Sequence, residues 1–143
     1  MLLDAAQARC VLDIALEHRF ALLAVNADSP AALIDVLEGA RQVSAPVMIE
    51  ASLWQLTGHS FGAGDAILGL GRYLVQLAHL ANSERFREVP VFFHTDHIKG
   101  SLTLPLLRAC PPGERGLKGL DGNAVFGNGW RVNLERRPQI EPL

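Results

Sequence analysis

Val89-Pro90-Val91-Phe92-Phe93-His94-Thr95-Asp96-His97 is an apolar run that leads directly into two histidines and an aspartate. A buried strand delivers its last residues at the carboxyl edge of a parallel sheet, which is where ligands bind in both barrels and open doubly wound folds. His94, Asp96 and His97 are therefore the first place to look for chemistry.

Working outward from this stretch, the upstream chain repeats one pattern. Phe20-Ala21-Leu22-Leu23-Ala24-Val25 is a continuous apolar run ending at Asn26-Ala27-Asp28-Ser29-Pro30, which reads as a buried strand followed by a helix start. Ser29 is the expected N-cap and Pro30 the first helical residue, because proline has no N–H for the first turn to lose. Leu33, Ile34, Leu37 and Ala40 carry that helix on, and it stops before Ser44-Ala45-Pro46. Val47 to Ser52 reads as a second strand with polar residues at its end. Leu53 to Asp65 reads as a loop containing Gly58, Gly62 and Gly64, and Ile67, Leu70, Leu74, Leu77 and Leu80 then give a long helix ending near Asn82.

Val89 to Phe93 is the third strand, and Leu102 to Ala109 begins another helix. Ahead of all these, Leu3, Cys10, Val11 and Ile14 recur at helical spacing among charged residues, so residues 3 to 18 read as an amphipathic helix. The order βαβαβα predicts an α/β fold with a parallel sheet.

The composition sets limits on partners. The 143 residues are 49% hydrophobic and 20% charged, far from a disordered composition, and fit one globular domain. A formal net charge of −2 gives no global positive field to gather nucleic acid or an anionic membrane surface. Cys10 and Cys110 form no CxxC, so neither a disulfide framework nor a thiolate zinc knuckle is indicated, and both read as free thiols. The first residues lack the pattern of a signal peptide, and no apolar stretch has the length of a membrane span, so the expected location is cytoplasmic.

The character of the chain changes near Ala109-Cys110-Pro111-Pro112. Residues 111 to 143 hold six of the 13 glycines and four of the eight prolines, with no sustained period. Turns, an extended arm or disorder are expected there. A shifted reading frame would produce the same break. Asn123, Asn128 and the glycines around Phe126 do not amount to a phosphate-cradling loop, because no strand is evident before them.

These residues resemble the class II metal-dependent fructose-bisphosphate aldolases and their tagatose-bisphosphate relatives over about residues 2 to 109. The resemblance rests on FALLAVNADSPAALIDVLEGARQVSAPVMIEAS (20–52) and above all on VPVFFHTDH (89–97). It implies a partial TIM barrel, about three βα units after an N-terminal helix. It also implies reversible aldol cleavage of a ketose bisphosphate, fructose or tagatose 1,6-bisphosphate, to dihydroxyacetone phosphate and glyceraldehyde 3-phosphate.

In the family a divalent zinc polarises the ketose carbonyl. By motif, His97 matches a zinc-ligating histidine and Asp96 matches the acid/base that exchanges a proton with the substrate hydroxyl. Asn26 and Ser52 match strand-end positions that face the substrate and its phosphate. The chemistry suits these residue types, since neutral imidazole is a good zinc ligand and a carboxylate near a cation stays ionised. The partners implied are a phosphorylated ketose and either a homo-oligomer or another chain that completes the barrel.

Plainer readings stand beside these. Asp96 and His97 could be a hydrogen-bonded pair capping a loop, Asn26 an Asx-turn before the Ser29 cap, and Ser52 a residue satisfying backbone groups at a strand end. His94 reads as a residue that orients its neighbours. Glu50 either points into a polar barrel mouth or pairs with a cation there. His59 reads as a solvent-exposed loop residue, and His18 and His79 belong to helices.

A TIM barrel takes about 250 residues and eight strand–helix units, and a catalytic zinc takes three protein ligands and an open position. The motif supplies one ligand, and no counterpart of the family's later ligands, mobile-loop glutamate or phosphate loop follows residue 110. A non-catalytic α/β module of aldolase ancestry, or a general ligand-binding domain using the same strand ends, are the alternatives.

Overall fold

The computed structural model describes residues 1–109, 117–118 and 124–126. Three parallel strands form its centre: β1 (Leu23–Asn26), β2 (Val47–Ala51) and β3 (Val91–Thr95), adjacent in that order. Helix α1 (Ala5–His18) precedes them, α2 (Pro30–Gln42) joins β1 to β2, and α3 (Leu53–Thr57) with α4 (Ala66–Ala81) joins β2 to β3. After β3 comes α5 (Thr103–Ala109). The expected order of parallel strands and helices is therefore present.

Local sequence explains the helix limits. Asp4 caps α1 through a reciprocal pair in which the Gln7 amide donates to Asp4 Oδ1 at 2.8 Å and the Asp4 amide donates to Gln7 Oε1 at 2.9 Å. Two otherwise unpaired donors are satisfied by this exchange. Arg19 ends the helix in the left-handed region at φ 56. Ser29 Oγ accepts from the Ala32 amide and Pro30 opens α2, as the sequence predicts. Asp65 caps α4 by accepting from the amides of Ile67 and Leu68, and Asn82 closes it.

Several boundaries differ from expectation. Leu3 lies outside α1: Leu2 bridges Val91 in parallel, and the Leu3 amide donates to the Val91 carbonyl at 2.9 Å. Burial of Leu2 and Leu3 against β3 outweighs continuation of the helix. The first strand starts at Leu23 rather than Phe20, because Arg19 and the turn after it still occupy the chain. The third strand runs from Val91 to Thr95 rather than from Val89, since Pro90 has no N–H to give to a ladder. Residues 53–57, expected in a loop, form α3.

The core lies between one face of the sheet and helices α2 and α4. Phe93 lies 5.7 Å from the ring of Tyr73 on α4, so alternation along the strands turns Val91, Thr95, Ile49 and Val47 toward the helices as well. Leu33 and Leu37 on α2, and Leu70 and Leu77 on α4, are buried against them. Each such side chain contributes about 1.5–3 kcal/mol by leaving water. The opposite face carries Ala24 and Asn26 on β1, Met48 and Glu50 on β2, and Phe92 and His94 on β3.

Helices α3 and α4 approach closely enough that a Cβ added at Gly69 would sit 1.8 Å from the Leu56 carbonyl oxygen. Glycine is the residue that leaves this space. Beyond α5, where no strand was expected, β4 (Leu117–Lys118) and β5 (Ala124–Phe126) pair antiparallel, and β5 runs antiparallel to β3 with Phe93 opposite Phe126. Cys110, Asn123 and Asn128, and the rest of the proposed irregular tail, lie outside the described residues.

Candidate active site at the carboxyl edge

The β1–β2–β3 register places Asn26, Glu50 and His94 in one row across the sheet. Residues opposite one another in register point to the same face, so the three side chains share the face turned away from the helices. Asp96 follows two residues after His94, just past the end of β3. Its amide donates to the Ala51 carbonyl at 3.0 Å, which carries the ladder one step further and fixes the backbone there.

Two pairs organise the edge. Asn26 Nδ2 donates to Asp96 Oδ2 at 3.2 Å, and His94 Nδ1 lies 2.6 Å from Glu50 Oε1. A carboxylate only accepts, so His94 Nδ1 carries the hydrogen and a neutral ring presents Nε2 as its acceptor. Both members of the second pair are largely covered, with side-chain exposures of 13% and 16%. Glu50 thus faces the ring of His94.

His97 Nε2 stands 3.4 Å from Asp96 Oδ1, while its side chain is 65% exposed. Its backbone is left-handed at φ 48, which turns the chain sharply out of the strand direction and sets the imidazole beside the aspartate. Asp96 therefore has an amide donor on one oxygen and an imidazole near the other.

Ser52 is placed differently. It is the N-cap of α3: its Oγ accepts from the Trp54 amide at 3.3 Å and contacts Gln55 Oε1, while its own amide donates to Gln55 Oε1 at 2.9 Å. Gln55 Nε2 donates onward to Asp28 Oδ1 at 2.6 Å. Gln55 is 7% exposed and ties the end of β2 to the loop after β1. The Ser-x-x-Gln spacing was the signal for this cap, and the loop assignment overlooked it. His59 is exposed in the turn after α3, and His18 and His79 are exposed on helices.

Among the described residues no group of three or more His, Cys, Asp and Glu side chains is arranged to hold a metal ion. A catalytic zinc takes three protein ligands, so these residues do not by themselves complete one. No helix among the described residues is long and apolar enough to cross a membrane.

The family model for class II fructose-bisphosphate aldolase matches residues 6–110. The chain belongs to that family. A fructose-bisphosphate aldolase of Kluyveromyces lactis is 28% identical over 95 residues, which are 62% of this chain and 26% of that protein. The crystal structure of a fructose-bisphosphate aldolase from Campylobacter jejuni superposes with a TM-score of 0.63 at 26% identity, covering 75% of this chain and 31% of that one. The chain thus spans between a quarter and a third of the length of these aldolases. Its three-strand unit is a partial aldolase barrel, and the row of Asn26, Glu50, His94 and Asp96 lies at the edge where barrel enzymes carry out their chemistry.

Proposed function

We propose that the carboxyl edge is part of an aldolase active site, and that Asp96 is its acid/base in the reversible cleavage of a ketose bisphosphate. The substrate would be fructose or tagatose 1,6-bisphosphate, and the products dihydroxyacetone phosphate and glyceraldehyde 3-phosphate. In cleavage, the hydroxyl beside the scissile bond gives its proton to Asp96, the oxygen's electron pair forms the aldehyde carbonyl, and the carbon–carbon electrons pass to the ketose half. The observation that carries this reading is the placement of Asp96: anchored by its backbone to β2, held by Asn26 on one carboxylate oxygen, and 20% exposed. A positioned carboxylate of this kind is what proton transfer to and from a hydroxyl requires.

Asn26 belongs to this reading as the residue that orients Asp96 beside the substrate, and Ser52 as a strand-end position near the substrate phosphate. Zinc belongs to it through the family, with His97 as one ligand. Further ligands would come from a partner chain or second copy that completes the barrel. A cytoplasmic location is part of the same proposal.

The test is an assay of fructose- and tagatose-bisphosphate cleavage on zinc-supplemented protein, with bound zinc measured in parallel. Cleavage that Asp96→Ala abolishes while metal content holds, and that His97→Ala reduces by weakening metal binding, is the expected result. Folded, zinc-supplemented protein with no cleavage of either sugar would overturn the assignment and leave a non-catalytic module of aldolase ancestry.

A further inference from the structure

Tyr73 is fully buried on α4, behind the sheet and on the opposite side from the candidate site. Its ring packs between Phe61, with centroids 4.5 Å apart, and Phe93 at 5.7 Å. The ring cannot swing away without displacing one of them. Its hydroxyl lies 3.1 Å from the Ala27 carbonyl oxygen and 3.2 Å from the Glu50 carbonyl oxygen. A phenol has one hydrogen, so the two carbonyls share it in a three-centre bond.

The location of those two carbonyls matters. The β1–β2 ladder ends at the pair Asn26 and Glu50. Ala27 is the next residue of β1's chain, where it turns off toward α2, and Glu50 is itself the last partner on β2. Beyond that pair the two strands have no ladder bonds of their own to fix their separation. One hydroxyl, held by two aromatic rings, sits at this fork.

We infer that Tyr73 is a positioning residue for the candidate site, fixing the separation of the β1 and β2 ends and thereby the reach of Asn26 to Asp96. The inference rests on the reading that this edge is the functional site, and it concerns a residue that touches neither substrate nor reacting groups. Asn26 must reach past β2 to meet an aspartate that follows β3. A small splay of β1 from β2 moves its amide out of hydrogen-bond range, since such bonds weaken steeply with distance and angle. Glu50, whose main chain is the other anchor, carries the carboxylate that holds His94.

The experiment reads the Asn26 side-chain amide resonance by NMR in the intact chain and its displacement when Asp96→Asn is introduced. The expected result is a clear displacement in the Tyr73 background and its loss in Tyr73→Phe. It is restored when residue 73 is 4-aminophenylalanine, which replaces the hydroxyl with another donor, and it is retained in Leu33→Val, a core substitution on α2 that keeps the hydroxyl. Persistence of the displacement in Tyr73→Phe, or its equal loss in Leu33→Val, would overturn the inference.

Should Tyr73→Phe not fold, 4-methylphenylalanine fills the same space without a donor and is compared with 4-aminophenylalanine. An identical amide response in those two variants would also overturn it. The readout does not depend on turnover, so an inactive protein would defeat the aldolase proposal while leaving this result standing.

Discussion

Asn26 Nδ2 meets Asp96 Oδ2 at 3.2 Å although their strands are not neighbours, because β2 lies between β1 and β3. Adjacent strands run about 4.8 Å apart, so the two side chains close a gap of two strand spacings above β2. The contact links the first and third strands directly at the carboxyl edge. An exposed hydrogen bond of this kind contributes about 1 kcal/mol or less to stability. Asn26→Ala is therefore expected to shift the urea midpoint little, while lowering any aldol cleavage by far more than the stability change implies. Chemical denaturation and the cleavage assay, run on one preparation, check both halves.

Gly69 and Gly71 lie on one helix with opposite expectations. A Cβ at Gly69 would be 1.8 Å from the Leu56 carbonyl oxygen and 2.7 Å from its carbon, both backbone atoms, whereas at Gly71 nothing lies within 4 Å. Gly69→Ala is expected to cost about 3 kcal/mol or to prevent folding. Gly71→Ala should stabilise by up to about 1 kcal/mol, since alanine is the better helix former. Thermal unfolding of the two variants side by side decides it; similar melting temperatures would contradict the close approach of α3 and α4.

His97 occupies a left-handed backbone at φ 48. That region costs an ordinary L-residue roughly 1–2 kcal/mol and costs glycine little. His97→Gly should be more stable than His97→Ala by about 1 kcal/mol, the imidazole being absent from both. Equal stability in denaturant titrations would mean that the turn relaxes when the ring is removed.

Glu38 joins α2 to the segment after α4. Its carboxyl is held at about 2, below the ordinary 4.5, first by the hydrogen bond from Arg41 and then by those from Gln42 and Arg85. A depressed value in the folded state means that the stabilisation is present above about 4.5 and is lost as pH falls toward 2. The melting-temperature gap between wild type and Glu38→Gln should therefore be open near neutral pH and close through this acid window. Added salt should narrow it, because the group is at the surface. A gap independent of pH would rule out the carboxylate as its source.

The parts of the fold legible in the sequence were those with local signals. Ser29-Pro30 marks the start of α2, Asn82 the end of α4, and the uninterrupted apolar runs mark three strands, of which β2 and β3 are buried as expected while β1, with one neighbouring strand, is largely exposed. His94, Asp96 and their neighbours were legible because a strand end is a position along the chain. The contacts that organise the edge were not, because Asn26 with Asp96, Glu50 with His94, and Tyr73 with two carbonyls each join residues separated by tens of positions. Leu3 departs from its helical spacing for a related reason. Its periodicity fits a helix, but an extended step beside Val91 buries it better.

Gln55 sets a constraint on how this region can vary. Its Oε1 receives the Ser52 amide hydrogen while its Nε2 gives one to Asp28. Glutamate could accept but would set a second negative charge against Asp28, lysine could donate but accept nothing, and asparagine is one methylene short. A planar group that gives at one end and takes at the other is supplied at this length by one side chain of the twenty. Gln55 therefore ties residue 28 to an acceptor side chain, while the Ser52 amide it receives is main chain that any residue but proline supplies, so freedom to vary is unequal across the three positions.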